Sequence, residues 1–203
     1  MQICASLLMA LALQFSPLSF SADPSQIEIV PFMEGEAVVM PGGAPAFEPG
    51  DPHLPGITCS MVIPQGTELV DVDVEVLSSV ELPGRHEIAP IVAQPVSQPI
   101  PAVALRSESY ESGTFPDGMV GRIDTGNKTG FRIGSFCFTP VSWDQDTGRL
   151  HLVTEARLTP VIAVDADAPM PELSELQIQT AMGGLEDVVE NPGMLREYAP
   201  AES

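Results

Sequence analysis

The sequence predicts a mainly-β protein: an antiparallel β-sandwich, jelly-roll-like, with a short C-terminal helical segment and a tail. Three observations point there. Val70, Val72, Val74 and Val76 alternate with Asp71, Asp73 and Glu75, the pattern of a strand with one buried and one wet face. From Arg149 to Leu158, Leu150, Leu152, Ala156 and Leu158 fall on one side and Arg149, His151, Glu155 and Arg157 on the other. The chain also holds 21 prolines and 17 glycines in 203 residues, which favours many short strands and turns over long helices.

The elements follow in order. Met1–Ala22 contains an apolar run, Ile3 to Phe15, followed by small residues, the shape of a secretory signal peptide. Ser19 and Ser21 fit the small positions of a cut after Ser21, although no Lys or Arg precedes the run. The run is too short to span a bilayer. The expected organisation is a signal peptide over 1–22, a sandwich over 23–168 and a helical or linker tail over 169–203. The mature product is then extracellular or periplasmic, with no membrane association.

Within the sandwich, Ile27 to Phe32 and Ala37 to Met40 are short apolar runs, and Pro41 to Pro55 is a Gly/Pro-rich connection. Ile57 to Ile63 reads as a strand closed by the turn Pro64-Gln65-Gly66-Thr67. Pro90 to Pro101 repeats proline too densely for a central strand. Ser107 to Gly118 reads as loop, Met119 to Asp124 as a strand, and Thr125 to Gly130 as a hairpin turn. Phe131 to Val164 reads as two long strands joined by the turn Asp144-Gln145-Asp146-Thr147-Gly148. Pro171 to Glu190 has helical spacing, with Leu173, Leu176 and Ile178 apolar and Gly183-Gly184 interrupting it. Asn191 to Ser203 is polar and reads as tail or linker.

The net charge is −20, with only 8 Lys and Arg. Such a surface repels phosphate backbones and anionic lipid, so nucleic acid is not an expected partner. The acidity serves solubility or seeks a cation. Asp71, Asp73 and Glu75 share a strand face, and Asp144 with Asp146 and Asp165 with Asp167 lie in turns. Asp144 and Asp146 are the weak calcium candidates; the full helix–loop–helix calcium pattern is missing, and no other cofactor is expected.

No catalytic residues are expected. Cys4 falls in the leader, while Cys59 and Cys137 sit mid-strand between apolar residues, away in sequence from His53, His86 and His151. Two readings of Cys59 and Cys137 stay open: a disulfide, or two buried free thiols. No paired zinc ligands, Gly-x-Ser-x-Gly elbow or phosphate loop occurs. Asn127-Lys128-Thr129 fits a glycosylation sequon but also an ordinary hairpin turn.

Four stretches, taken in order, resemble the N-terminal propeptide domain of gingipain-type cysteine peptidases. They are Gly43-Ala44-Pro45-Ala46-Phe47 through Leu54-Pro55; Met61-Val62-Ile63-Pro64-Gln65-Gly66-Thr67-Glu68-Leu69-Val70; Tyr110 through Phe115-Pro116; and Gly130-Phe131-Arg132 through Thr139-Pro140-Val141 and Thr147-Gly148-Arg149-Leu150. Trp143-Asp144 stands where the family tends to have Tyr-Asn, and the stretch Leu185 to Pro192 resembles the connector to the peptidase unit. The resemblance implies an antiparallel β-sandwich that assists folding of a cysteine peptidase catalytic domain and keeps it latent by covering its active site. The α/β unit that carries the family's catalytic His and Cys is not in this chain. Some members place a basic side chain from a propeptide loop in the enzyme's specificity pocket. That makes Lys128 the first inhibitory-loop candidate and Arg106 the second, with Arg196 a candidate processing site. The alternative is a free-standing extracellular β-sandwich binding module for calcium or carbohydrate. Only Trp143, Tyr110 and Tyr198 are available to stack on a sugar, which argues against carbohydrate.

Overall fold

Alternating apolar residues need a second apolar layer, and this chain supplies it with another sheet. The structure, a computed structural model, describes residues 16–92, 105–111, 113–168 and 174–198. Its strands are β1 (Leu18–Ser21), β2 (Glu28–Phe32), β3 (Gly35–Val39), β4 (Ala44–Pro45), β5 (Pro55–Val62), β6 (Thr67–Leu82), β7 (Thr114–Phe115), β8 (Val120–Lys128), β9 (Phe131–Phe138), β10 (Val141–Asp144) and β11 (Arg149–Val164). One helix, α1 (Glu175–Leu185), follows. The expected leader run to Phe15, the proline-rich stretch beyond Val92, Leu173 and the last five residues of the expected tail lie outside the described residues.

Two antiparallel sheets face each other. One has the order β1-β11-β10-β7 with β6 paired to β11, and the other the order β4-β5-β9-β8; β2 and β3 form a separate hairpin. A first core fills the space between the sheets with Met61 of β5 and Ile63 just after it, Phe136 and Phe138 of β9, Leu69 and Val72 of β6, and Ala156, Leu158 and Ile162 of β11. A second core gathers Leu54, Ile88, Trp143, Leu150 and Leu152 at the other end. Strand β11 serves both cores because it bends at bulges between Val153, Glu155 and Ala156. Each fully buried leucine here contributes roughly 2 kcal/mol of apolar burial.

The wet and dry faces of β11 follow the expected alternation: Leu150, Leu152, Ala156 and Leu158 are buried, and Arg149, His151, Glu155 and Arg157 are exposed. Strand β6 departs from it. A register shift opposite Val161 and Ile162 falls between Leu69 and Asp71, so the pattern changes phase at Val70. Leu69 and Val72 are buried, whereas Val70 and Val76 are exposed.

The expected first long strand after Phe131 is divided. The break at Thr139-Pro140 carries the chain from β9 in one sheet to β10 in the other, since proline removes a ladder donor. The turn after β10 is as expected: Gly148 lies at φ 70° and donates its N–H to the Asp144 carbonyl at 2.8 Å. Leu18–Ser21, upstream of the expected start, is a strand of the larger sheet.

The C-terminal segment is no loose tail. Ser174 caps α1 in a reciprocal box with Gln177, and the helix runs through Gly183-Gly184. Ile178, Ala181, Leu185, Val189 and Leu195 pack on Val62 and Phe131 in a third core. That core covers the outer face of the β5–β9 sheet. Of the helix's apolar residues, Ile178 is buried but Leu176 faces solvent.

Candidate functional site: the β8–β9 hairpin tip

Strands β8 and β9 meet at a two-residue connection, shorter than the six-residue turn expected from the sequence. Lys128 pairs with Phe131 across the ladder, leaving Thr129 at φ 51° and Gly130 at φ 90° as the turn. Two successive positive φ values match the right-handed twist of the strands. The base of this hairpin is fixed. Phe131 is fully buried, and the Gln65 side-chain amide donates to the Gly130 carbonyl at 3.0 Å. Arg132 is buried; its Nε donates to the Thr67 carbonyl at 2.9 Å and its Nη2 to Asp165 Oδ2 at 2.7 Å.

Lys128 is therefore an exposed ammonium on a rigid stem, at the end of an edge strand. Five of the arginines pair with acids: Arg106 with Glu87, Arg122 with Glu48, Arg132 with Asp165, Arg149 with Glu81 and Arg157 with Glu75. Among the described residues Lys128 has no such partner. Asn127 of the sequon is exposed beside it, inside β8 rather than in the turn.

Arg106 is held differently. Its Nη2 lies 2.6 Å from Glu87 Oε1, and its guanidinium stacks 4.8 Å from the Tyr110 ring centroid. It lines an open cleft of about 420 Å³ with His86, Tyr110, Trp143 and Asp146. Tyr110 donates its hydroxyl to the Ile88 carbonyl at 2.8 Å, and burial pushes its phenol well above the usual range. Trp143 is almost fully buried and donates Nε1–H to the His86 carbonyl at 3.0 Å, so its ring is not a flat exposed platform.

Arg196 is exposed but lies inside a 3₁₀ segment, Pro192–Tyr198, whose Leu195 is fully buried. Asp144 is occupied by its own turn, accepting the Thr147 N–H at 2.9 Å. That bond holds its carboxyl below the usual range. No group of three or more His, Cys, Asp or Glu side chains that could hold a metal ion forms among the described residues.

Cys59 and Cys137 are both free. The register explains why: Cys59 stands opposite Phe136 and Cys137 opposite Thr58, so the two thiols leave opposite faces of one sheet. Cys59 faces the first core, and its thiol is pushed up to about 12, chiefly by burial. Cys137 packs so closely on Gly56 that a Cβ there would lie 2.5 Å from its sulfur. Neither thiol is hydrogen-bonded to a histidine among the described residues. His86 is engaged by Glu36 and the Pro83 carbonyl, and His53 packs edge-on against Phe32.

Sequence reasoning missed Asn191. Its Oδ1 accepts the Val62 N–H and its Nδ2 donates to the Val62 carbonyl, both at 2.8 Å. The Glu190 N–H donates to the Ser60 carbonyl alongside, at 2.8 Å.

No family model and no curated protein matches this chain. Among solved structures, a chain in the complex of Porphyromonas gingivalis RgpB pro- and mature domains is similar with a TM-score of 0.64 and 21% identity. The match covers 87% of this chain and 92% of that one. A chain in the structure describing the zymogenic latency of gingipain K, from the same organism, gives a TM-score of 0.57 and 18% identity, covering 79% and 96%. The chain thus shares a mainly-β antiparallel fold with these two structures along most of its length.

Proposed function

We propose that this protein is an exported, non-catalytic propeptide-like domain that docks on a cysteine peptidase unit, assists its folding and keeps it latent. The observation that carries this reading is the fold likeness over 87% of the chain to a structure of pro- and mature peptidase domains in complex. The order of the four sequence stretches supports it independently. Occlusion is steric: the folded sandwich covers the substrate cleft until proteolysis removes it.

Of the two inhibitory-loop candidates, Lys128 suits the role better. It carries an unpaired charge on a fixed hairpin, whereas Arg106 would have to leave Glu87 and Tyr110. A lysine entering an acidic specificity pocket exchanges hydration for a paired carboxylate. Titrating the purified domain against a gingipain-type cysteine peptidase unit tests the reading. Inhibition is expected, with Lys128→Ala weakening it by roughly 30-fold and Arg106→Ala changing it little. Absence of both binding and inhibition would sink the proposal.

A further inference from the structure

Strand β6 has a ladder on one side only. β11 pairs with it from Thr67 to Leu82. On the other side the Leu69 N–H donates to Thr125 Oγ1 at 2.9 Å, and among the described residues no strand pairs with that edge. An open row of N–H and C=O groups is a template for another strand, and proteins blunt such rows with proline or charge. β6 holds no proline. In its second half the charges are spent within the sheet: Glu75 lies 2.6 Å from Arg157 and Glu81 2.7 Å from Arg149. Apolar side chains gather there instead, with Val76, Leu77 and Val80 at 42%, 50% and 38% exposed. Val76 stands opposite Ala156 and Val80 opposite Leu152, both buried. The two valines therefore belong to the dry face of the sheet and are left wet at its rim.

This half of the strand is also complementary to itself. From Val74 to Leu82 it reads Val-Glu-Val-Leu-Ser-Ser-Val-Glu-Leu, close to a palindrome about Ser78. A two-fold axis through Ser78, normal to the sheet, sets two copies of β6 antiparallel edge to edge. Val76 then meets the second copy's Val80, and Val74 its Leu82, all on the dry face. On the wet face Glu75 meets the second copy's Glu81. Two bare carboxylates so placed repel, but each of these arrives bonded to its own arginine, so the row across the junction carries no net charge. Leu77, the extra residue at a bulge, meets the second copy's Ser79, which is small enough to leave it room. A basic strand from another protein would have to compete with Arg149 and Arg157 for the same carboxylates, whereas a second copy displaces neither.

We propose that two copies of this chain associate through the Val74–Leu82 edge of β6 and join their larger sheets into one antiparallel sheet. The Lys128 tip lies by the opposite end of β6, where the Gln65 amide meets the Gly130 carbonyl, so the inference does not depend on the role proposed for that tip. Sedimentation equilibrium of the purified full chain tests it. A species of twice the chain's 21.5 kDa is expected at micromolar concentrations. Salt should strengthen it, because screening relieves the repulsion between two acidic bodies. Val76→Lys combined with Val80→Lys should weaken association by roughly tenfold or more, even though the added lysines lower the net negative charge and would favour a non-specific contact. Independently of how those lysines affect folding, Ser78→Cys on the axis should give a disulfide-linked dimer in a glutathione redox buffer. Facing Cα atoms of an antiparallel ladder stand about 4.5–5.5 Å apart, within disulfide reach. Asp73→Cys, off the axis, should not cross-link, with Cys4→Ser made in both. A monomer at every concentration overturns the proposal, whatever then proves to cover the edge. So does a dimer that both lysines leave intact, or an Asp73→Cys chain that cross-links as readily as Ser78→Cys.

Discussion

Asn191 does the work of a strand residue without being in a strand. Its side-chain amide offers one donor and one acceptor at the spacing of a peptide group, and Val62 takes both. Asn191→Ala would leave two part-buried backbone groups of Val62 without their partner. A loss of about 2–3 kcal/mol is expected, measured by urea unfolding of the two proteins side by side. An unchanged midpoint would show that water replaces the amide at no cost. His53 makes a second residue-scale prediction. Burial lowers its pKa, so the folded protein resists protonating it while the unfolded chain titrates near the usual 6.5. Any stability gained from keeping His53 neutral is complete above about pH 6.5 and is lost as pH falls through the depressed folded value. His53→Gln should therefore flatten the fall in melting temperature between about pH 7 and pH 5. Neither role was legible in the sequence. Asn191-Pro192 reads locally as a linker, and its partner lies 129 residues away.

At the scale of elements, the C-terminal segment is a latch laid across the outer face of the β5–β9 sheet. Its hold depends on a few apolar side chains, of which Leu195 is the most deeply buried neighbour of Arg196. A peptidase needs several residues in extended form, and a packed 3₁₀ segment denies it that shape. Leu195→Ala should cost about 2–4 kcal/mol of local packing and speed tryptic cutting after Arg196, followed by mass spectrometry of the fragments. If the rate is unchanged, the latch is not what protects the bond. The pattern of β11 was readable because alternation in its regular stretches needs no distant information. The phase change in β6 was not, because four valines in perfect alternation conceal a bulge that only the opposing strand reveals. Likewise, the hairpin turn before Phe131 looked six residues long because Thr125 to Lys128 are turn-formers by composition, yet β9 draws them into a ladder.

The whole molecule carries 28 acids against 8 Lys and Arg, and five of its arginines are already paired. Self-repulsion among the remaining carboxylates opposes compaction, and salt screens it. Raising sodium chloride from low to moderate concentration should raise the melting temperature by a few degrees. A fall instead would mean that the exposed Arg149–Glu81 and Arg157–Glu75 pairs outweigh the net repulsion. Among the described residues Arg85, Lys128 and Arg196 form no ion pair with an acid, and of these Lys128 stands at the β8–β9 tip.

Sequence alone determined the fold class and the buried face of β11, because strand periodicity and proline–glycine punctuation are local properties. Only the tertiary structure decided that Cys59 and Cys137 leave opposite faces, that Arg106 is tied down while Lys128 is not, and that both β1 and the C-terminal segment belong to the body. Each of these depends on which residue is set opposite which across a ladder or a core. That pairing is fixed by contacts between segments far apart in the chain, where no local pattern reaches.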